Sequence, residues 1–267
     1  MSGSGDLERP FLRRQSSVQL RQQHKSHWRV PSKARLGGVD RASERAGFVR
    51  KVYGILASQL LVTCAVCAAG MYVSPLRQVL VCIAFMPSSR WFQAAWAVPT
   101  FVAMLVAERS KTSYPCNYVA LSVFTLLMSF NLALLCAGFY ECGIGVLILI
   151  AAGVTAVLFG LLSAYAIASG RSFSCMGAYL SAALPLLCAW GFARCFFGIG
   201  GWVLYPVLGA LMFCGYIVFD TWRIMEVFGC DDYMAAAIEL YMDILNLFLH
   251  ILEILLKILL ILIGKDN

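Results

Sequence analysis

The stretch Glu239-Leu-Tyr241-Met-Asp243-Ile-Leu-Asn246-Leu-Phe-Leu-His250-Ile-Leu-Glu253-Ile-Leu-Leu-Lys257 is an apolar run broken by six polar residues, at steps of four, three, four, three and four. That is the helical period, so the six form one stripe while Leu, Ile, Phe and Met cover the other faces. The whole segment, 234–263, exceeds the roughly 20 residues that a helix needs to cross a bilayer core. An ionisable group inside such a span costs about 2.5–3.5 kcal/mol on insertion scales and must face protein or water. The stripe therefore demands other helices around it. A helix lying on a membrane surface shows a similar pattern. The breadth of the apolar faces, and the setting of Asp243 within Leu240-Tyr-Met-Asp243-Ile-Leu, favour a crossing helix.

The rest of the chain supplies those helices. Of 267 residues, 61% are hydrophobic and 13% charged, against roughly 45–50% and 25% in soluble domains. This excludes a soluble enzyme domain and a disordered chain. The uncharged runs are too long and continuous for a β-barrel. Six of them, 52–76, 91–107, 112–140, 142–170, 172–193 and 195–219, suit membrane crossing. The run 78–89 is too short and reads as an interfacial or re-entrant piece. With 234–263 the expectation is an all-α polytopic membrane protein of seven helices. Pro99, Pro185 and Pro206 fall inside three runs and favour kinks. Ser129, Asn131, Ser163 and Ser181 are single polar groups suited to joining helices.

The net charge of +7 belongs to one tail, because 12 of the 21 Lys and Arg lie between Arg9 and Lys51. Residues 1–50 read as a basic, mostly disordered cytosolic tail attracted to anionic lipid, with a short basic-directed kinase pattern at Arg13-Arg14-Gln-Ser16-Ser17. Residues 51–264 form the membrane domain. The tail carries no secretory signal pattern. Its acid-free stretch from Arg9 to Val39 also resembles a mitochondrial transit peptide, so the inner mitochondrial membrane stands as an alternative address. The positive-inside rule puts the N-terminus in the cytosol, together with Arg109, Lys111, Arg171 and Arg223. Seven crossings then leave the C-terminus on the far side. No basic folded face suggests nucleic-acid binding. Eleven cysteines at irregular spacing are no disulfide framework. Cys64 and Cys67 read as one packed helix face, and Cys142 and Cys195 stand outside the spans.

A second set of charges lies in Tyr216-Ile-Val-Phe-Asp220-Thr-Trp-Arg223. If the sixth helix runs to about Val227, Asp220 lies roughly 10 Å inside its end, and Asp243 about 15 Å inside the last helix. The two carboxylates are thus at nearly the same depth in an antiparallel pair. Asp220 with Arg223 also reads as a snorkelling i, i+3 ion pair. Glu239, one turn before Asp243, is the substitute if the register slips.

Several stretches resemble one known family. They are Phe48-Val-Arg-Lys51-Val-Tyr53-Gly-Ile-Leu-Ala-Ser-Gln59-Leu-Leu-Val-Thr63, Tyr114-Pro115-Cys-Asn117 leading to Phe124-Thr125-Leu-Leu-Met128-Ser129, Ser172-Phe-Ser174, Phe219-Asp220-Thr221 and Leu240-Tyr241-Met-Asp243-Ile-Leu-Asn246-Leu-Phe248. In this order, over about residues 45–255, they resemble the transmembrane Bax-inhibitor-motif family in its Lifeguard-like branch. The resemblance implies a seven-helix bundle around a polar central last helix. It also implies a calcium leak in internal membranes of the endoplasmic reticulum or Golgi type, linked to suppression of cell death. In that family an aspartate pair acts as a pH-responsive latch, and the matching positions are Asp220 and Asp243. The latch-pairing base matches Arg109, aligned through Tyr114-Pro115. Some members carry a glutamate at Met128, so any role of that carboxylate does not transfer. Glycines common after Phe219-Asp220-Thr are replaced by Glu226-Val-Phe-Gly.

The leading expectation is a pH-sensitive cation leak, not an enzyme, with calcium as the permeant ion and no cofactor. Two close carboxylates in low dielectric resist double ionisation and tend to share one proton. Without that proton, Asp220 and Asp243 suit a hard, oxygen-loving cation such as calcium. Arg109 and Arg223 offset their charge, and Glu239, Asn246, His250 and Glu253 form a secondary polar stripe. The contrasting expectation is a non-conducting scaffold that acts through membrane-protein partners. A retinal protein would use Lys257, but this residue lies beyond the family motif. An intramembrane protease would need motifs that the chain lacks.

Overall fold

The computed structural model describes residues 32–85, 89–110, 115–197, 203–229 and 231–265. Among them are eight helices and no strand: α1 (Ser32–Tyr72), α2 (Ser74–Phe85), α3 (Ser89–Arg109), α4 (Cys116–Glu141), α5 (Val146–Ser169), α6 (Ser174–Phe197), α7 (Leu204–Glu226) and α8 (Tyr233–Lys265). Six of these, α1 and α4 to α8, are long and apolar enough to cross a membrane. The chain is thus a multi-span membrane protein. The expected second span coincides with α3, which is 21 residues long with Pro99 inside it and is not among the six.

Two compact units divide at Gly47 and Phe48. In the first, the described residues are helical from Ser32. The helix thus begins within the stretch 1–50 that the sequence reads as a mostly disordered tail. The physical reason is composition: Ala, Arg, Leu and Glu favour helix there despite Gly37 and Gly38. Residues 1–31, with the kinase pattern, lie outside the described residues.

In the second unit, local chemistry sets the breaks. Pro75 disfavours helix at the residue before it and lacks an N–H, so α1 ends and α2 begins around Val73. The expected first run, 52–76, is therefore cut short. The 12-residue α2 overlaps the run 78–89, which is too short to span and reads as an interfacial or re-entrant piece. Helix α4 closes with Gly143 at φ 77°. There the Gly143 N–H donates to the Tyr140 carbonyl and the Ile144 N–H to Phe139, the paired pattern of a left-handed cap. Gly170, also left-handed at φ 57°, ends α5. Arg194 stands in the last turn of α6 and not between spans, because a charge does not break a helix, whereas the cluster Gly198, Gly200 and Gly201 disfavours one. Pro206 lies in the first turn of α7, where its missing N–H leaves no broken bond, so no kink is required there. Pro185 does fall inside α6.

Helix α8 packs on α3, α4, α5 and α7, and Leu240, Tyr241 and Leu247 on it are fully buried. Polar groups pin the neighbours. Thr63 Oγ1 lies 2.8 Å from Tyr241 Oη and 3.0 Å from Ser129 Oγ, while Gln59 Nε2 donates to Thr125 Oγ1 at 3.1 Å. Asn131 donates to Thr100 Oγ1 at 3.1 Å, and Ser163 meets Thr221 at 3.4 Å. Of the four expected joining residues, only Ser181 stays on its own helix, donating to the Ala178 carbonyl. Tyr241→Phe keeps the ring against Phe124, at 6.0 Å, and removes only the hydroxyl. It is expected to destabilise the protein by about 1 kcal/mol. Thermal unfolding in detergent measures this, and an unchanged midpoint would rule out a contribution from the hydroxyl.

Among the described residues the cysteines recorded are free, with Cys67 buried and Cys64 and Cys142 exposed. The side chain of Cys195 lies outside the description.

Candidate functional site

The polar stripe of α8 docks along α7. Asp220 sits on the inner face of α7, one and a half turns before the helix ends at Glu226, and Asp243 lies three turns into α8. This antiparallel register brings their carboxyls within hydrogen-bonding reach. Both are buried, at 4% and 6% exposure. Asp243 Oδ2 meets no hydrogen-bond partner. A buried acceptor left unmatched costs about 1–3 kcal/mol, more when charged.

One base serves this cluster. Arg223 Nη1 donates to Asp220 Oδ1 at 3.1 Å, the i, i+3 pair expected on α7. The same nitrogen donates to Glu239 Oε2 across the helix pair. Arg223 thus ties α7 to α8 beside the aspartates, with its guanidinium also 4.4 Å from the Phe228 ring centroid. Glu239 is therefore not a substitute for Asp243 but a third carboxylate of the same cluster. Arg109 is exposed at the end of α3, and among the described residues it bonds to none of the three. The cluster therefore combines Asp220, Asp243, Glu239 and Arg223. It can hold and release protons, or present carboxylate oxygens to a cation.

The remaining stripe residues form a second group nearer the other end. Asn246 Nδ2 donates to the Met242 carbonyl of its own helix at 2.8 Å. His250 is buried at 9% exposure, with its ring stacked on Phe213 and edge-on to Tyr205. Glu253 accepts from Arg194 at 2.6 Å and from Lys257 at 3.0 Å through the same oxygen. The Arg194 guanidinium lies 4.2 Å from the Tyr205 ring centroid. Neither Arg194 nor Tyr205 stands among the candidate site residues that the sequence suggests. The signal for Arg194 was a lone base in Gly191-Phe-Ala-Arg194-Cys-Phe-Phe.

Among the described residues, no group of three or more His, Cys, Asp or Glu is arranged to hold a metal ion. The aspartate pair falls short of the six to eight oxygens of a calcium site. It suits brief contact with a partly hydrated ion better than a resident one.

A family model described as "Inhibitor of apoptosis-promoting Bax1" matches residues 45–258. The chain is 36% identical over 212 residues to Protein LIFEGUARD 4 of Arabidopsis thaliana, covering 76% of this chain and 82% of that one. It is 37% identical over 205 residues to mouse Protein lifeguard 4, with coverages of 76% and 82%. It is 34% identical over 207 residues to the Golgi anti-apoptotic protein of Vaccinia virus (strain Lister), again covering 76% and 82%.

Proposed function

The chain belongs to the Bax inhibitor family, in company with the Lifeguard proteins, and from that premise we propose that it is a pH-sensitive cation leak that passes calcium across an internal membrane and restrains cell death. The observation that carries this reading is the Asp220–Asp243 contact with its unmatched Oδ2 atom, buried beside Arg223 and Glu239. With one proton shared, the pair holds α7 to α8. With the proton gone, two charges face each other in a low-dielectric seam and push the helices apart, which offers oxygens to a passing calcium ion. Arg223 offsets part of that charge. The restraint of cell death, and a Golgi-type membrane, are suggested by the name of the viral relative.

The purified protein in liposomes loaded with a calcium dye tests the reading. Flux above empty liposomes that rises with pH supports it. Vesicles that stay sealed at every pH reject it in favour of a scaffold acting through membrane-protein partners.

In orientation, we place the N-terminus in the cytosol and count α3 as the seventh crossing, with α8 as the polar central helix. A tag after Asn267 should then be protected from protease added to intact microsomes. Its digestion from the cytosolic side would remove the seven-crossing topology.

A further inference from the structure

Helix α8 carries polar clusters at two levels, one shared with α7 and one with α6, and rings lie between them. Near the α7–α8 turn stand Arg223, Glu239, Asp220 and Asp243. Toward the other end stand Arg194, Glu253 and Lys257. Ten residues of α8 separate Asp243 from Glu253, or about 15 Å. In that interval the α8 stripe continues through Asn246 and His250, but α7 answers with Ile217, fully buried, and Phe213, at 7% exposure.

His250 closes the interval. Its ring lies 5.7 Å from Phe213 at an interplanar angle of 25°, and 5.5 Å from Tyr205 at 63°. Behind it is Gly209, where a Cβ would overlap the imidazole. The close approach of ring to backbone thus requires glycine. Among the described residues no hydrogen bond holds the imidazole. It is kept in place by shape, so a small separation of α7 and α8 releases it without breaking a polar bond.

We propose that the Phe213–His250 stack, edged by Tyr205 and seated on Gly209, is the shut constriction of the cation path, an inference that rests on the reading of this seam as that path. A cation moving between the two polar clusters must shed water to pass the rings, and apolar constrictions of this kind close by dewetting. The carboxylate cluster is then the sensor and the ring stack the barrier. Separation of the helices at the cluster opens the stack.

The full-length protein in calcium-dye liposomes tests this at acid pH, where the aspartate latch is closed. Phe213→Ala and His250→Ala are expected to raise calcium entry about tenfold at acid pH and to admit tetramethylammonium, which the wild type excludes. His250→Phe and Phe213→Leu, which refill the space, should stay shut. Phe213→Val and His250→Leu, made in parallel, give milder openings if the alanine variants fail to fold. If the wild type conducts with pH while all truncations keep its acid flux and its exclusion of tetramethylammonium, the barrier is elsewhere and the leak reading stands. If wild type and truncations are sealed at every pH, both ideas fall. A sealed wild type with conducting truncations supports the constriction and rejects the wild type as a leak.

Discussion

Asp243→Asn is expected to abolish the pH dependence of calcium flux, not merely scale it, and Asp220→Asn to do the same. The two carboxyls are buried and within hydrogen-bonding reach. At acid pH the shared proton keeps the helices together. As pH rises the proton leaves, and two unit charges about 4 Å apart at an effective dielectric near 20 repel by about 4 kcal/mol. A shift of 1.4 kcal/mol already moves a two-state equilibrium about tenfold, so the repulsion is ample to open the seam even after Arg223 offsets part of it. An Asn at either position carries no charge at any pH and can donate a hydrogen bond to the remaining carboxylate. The alkaline flux should therefore fall to the acid level of the wild type. Flux against pH in liposomes measures this, with detergent thermal midpoints as the check on folding. Two well-folded single variants with a wild-type profile would leave the latch without support.

Periodicity carried the reading of α8, because its stripe is a one-dimensional pattern that only a helix explains. Depth counting along two adjacent spans placed Asp220 level with Asp243 for the same reason: a short turn leaves little freedom in the register of an antiparallel pair. What the pattern could not supply was rotation about the helix axis. One residue turns a helix by about 100°, so alignment through Tyr114-Pro115 marks Arg109, while Arg109 is exposed at the end of α3 and bonds to none of the cluster among the described residues. The Arg223–Glu239 bridge joins two residues that were both visible in the sequence. Their pairing follows from which face α7 turns toward α8. The apolar run 172–193 stops short of Arg194 because a charge interrupts the composition but not the helix. Glycines just beyond it are the better stop signal, and the helix continues to Phe197, carrying Arg194 to Glu253. His250 carried a polar label, yet its neighbours are rings and a glycine backbone, a fact that belongs to the packing of α7 and has no trace in the α8 stripe.

Arg223→Gln is expected to move closure of the leak to lower pH, by about half a unit, and to make it steeper. In the wild type one guanidinium nitrogen serves Asp220 and Glu239 together, so closure needs only the proton shared by the aspartates. Without that base, three carboxylates meet in one seam, and bringing the helices together requires a second proton. The sign follows from the count. A closed state that must take up more protons is favoured only at higher proton concentration, so flux persists further into acid and then falls over a narrower range. Bare Coulomb attraction would make the loss about 4 kcal/mol. The side chains of Arg223 and Glu239 are 27% and 32% exposed, however, and solvent screens such pairs. A loss nearer 1–2 kcal/mol corresponds to about half a pH unit, since one unit is 1.36 kcal/mol per proton and closure of the variant takes up two. Glu239→Gln in the same background removes the extra carboxylate and should return most of the midpoint, which makes the pair a double-mutant cycle with strong coupling. If Arg223→Gln leaves the midpoint unmoved, or raises it, the bridge plays no part in closure. If the double variant shows no recovery, Arg223 acts through Asp220 alone, and the hold of α7 on α8 rests entirely on the aspartate pair.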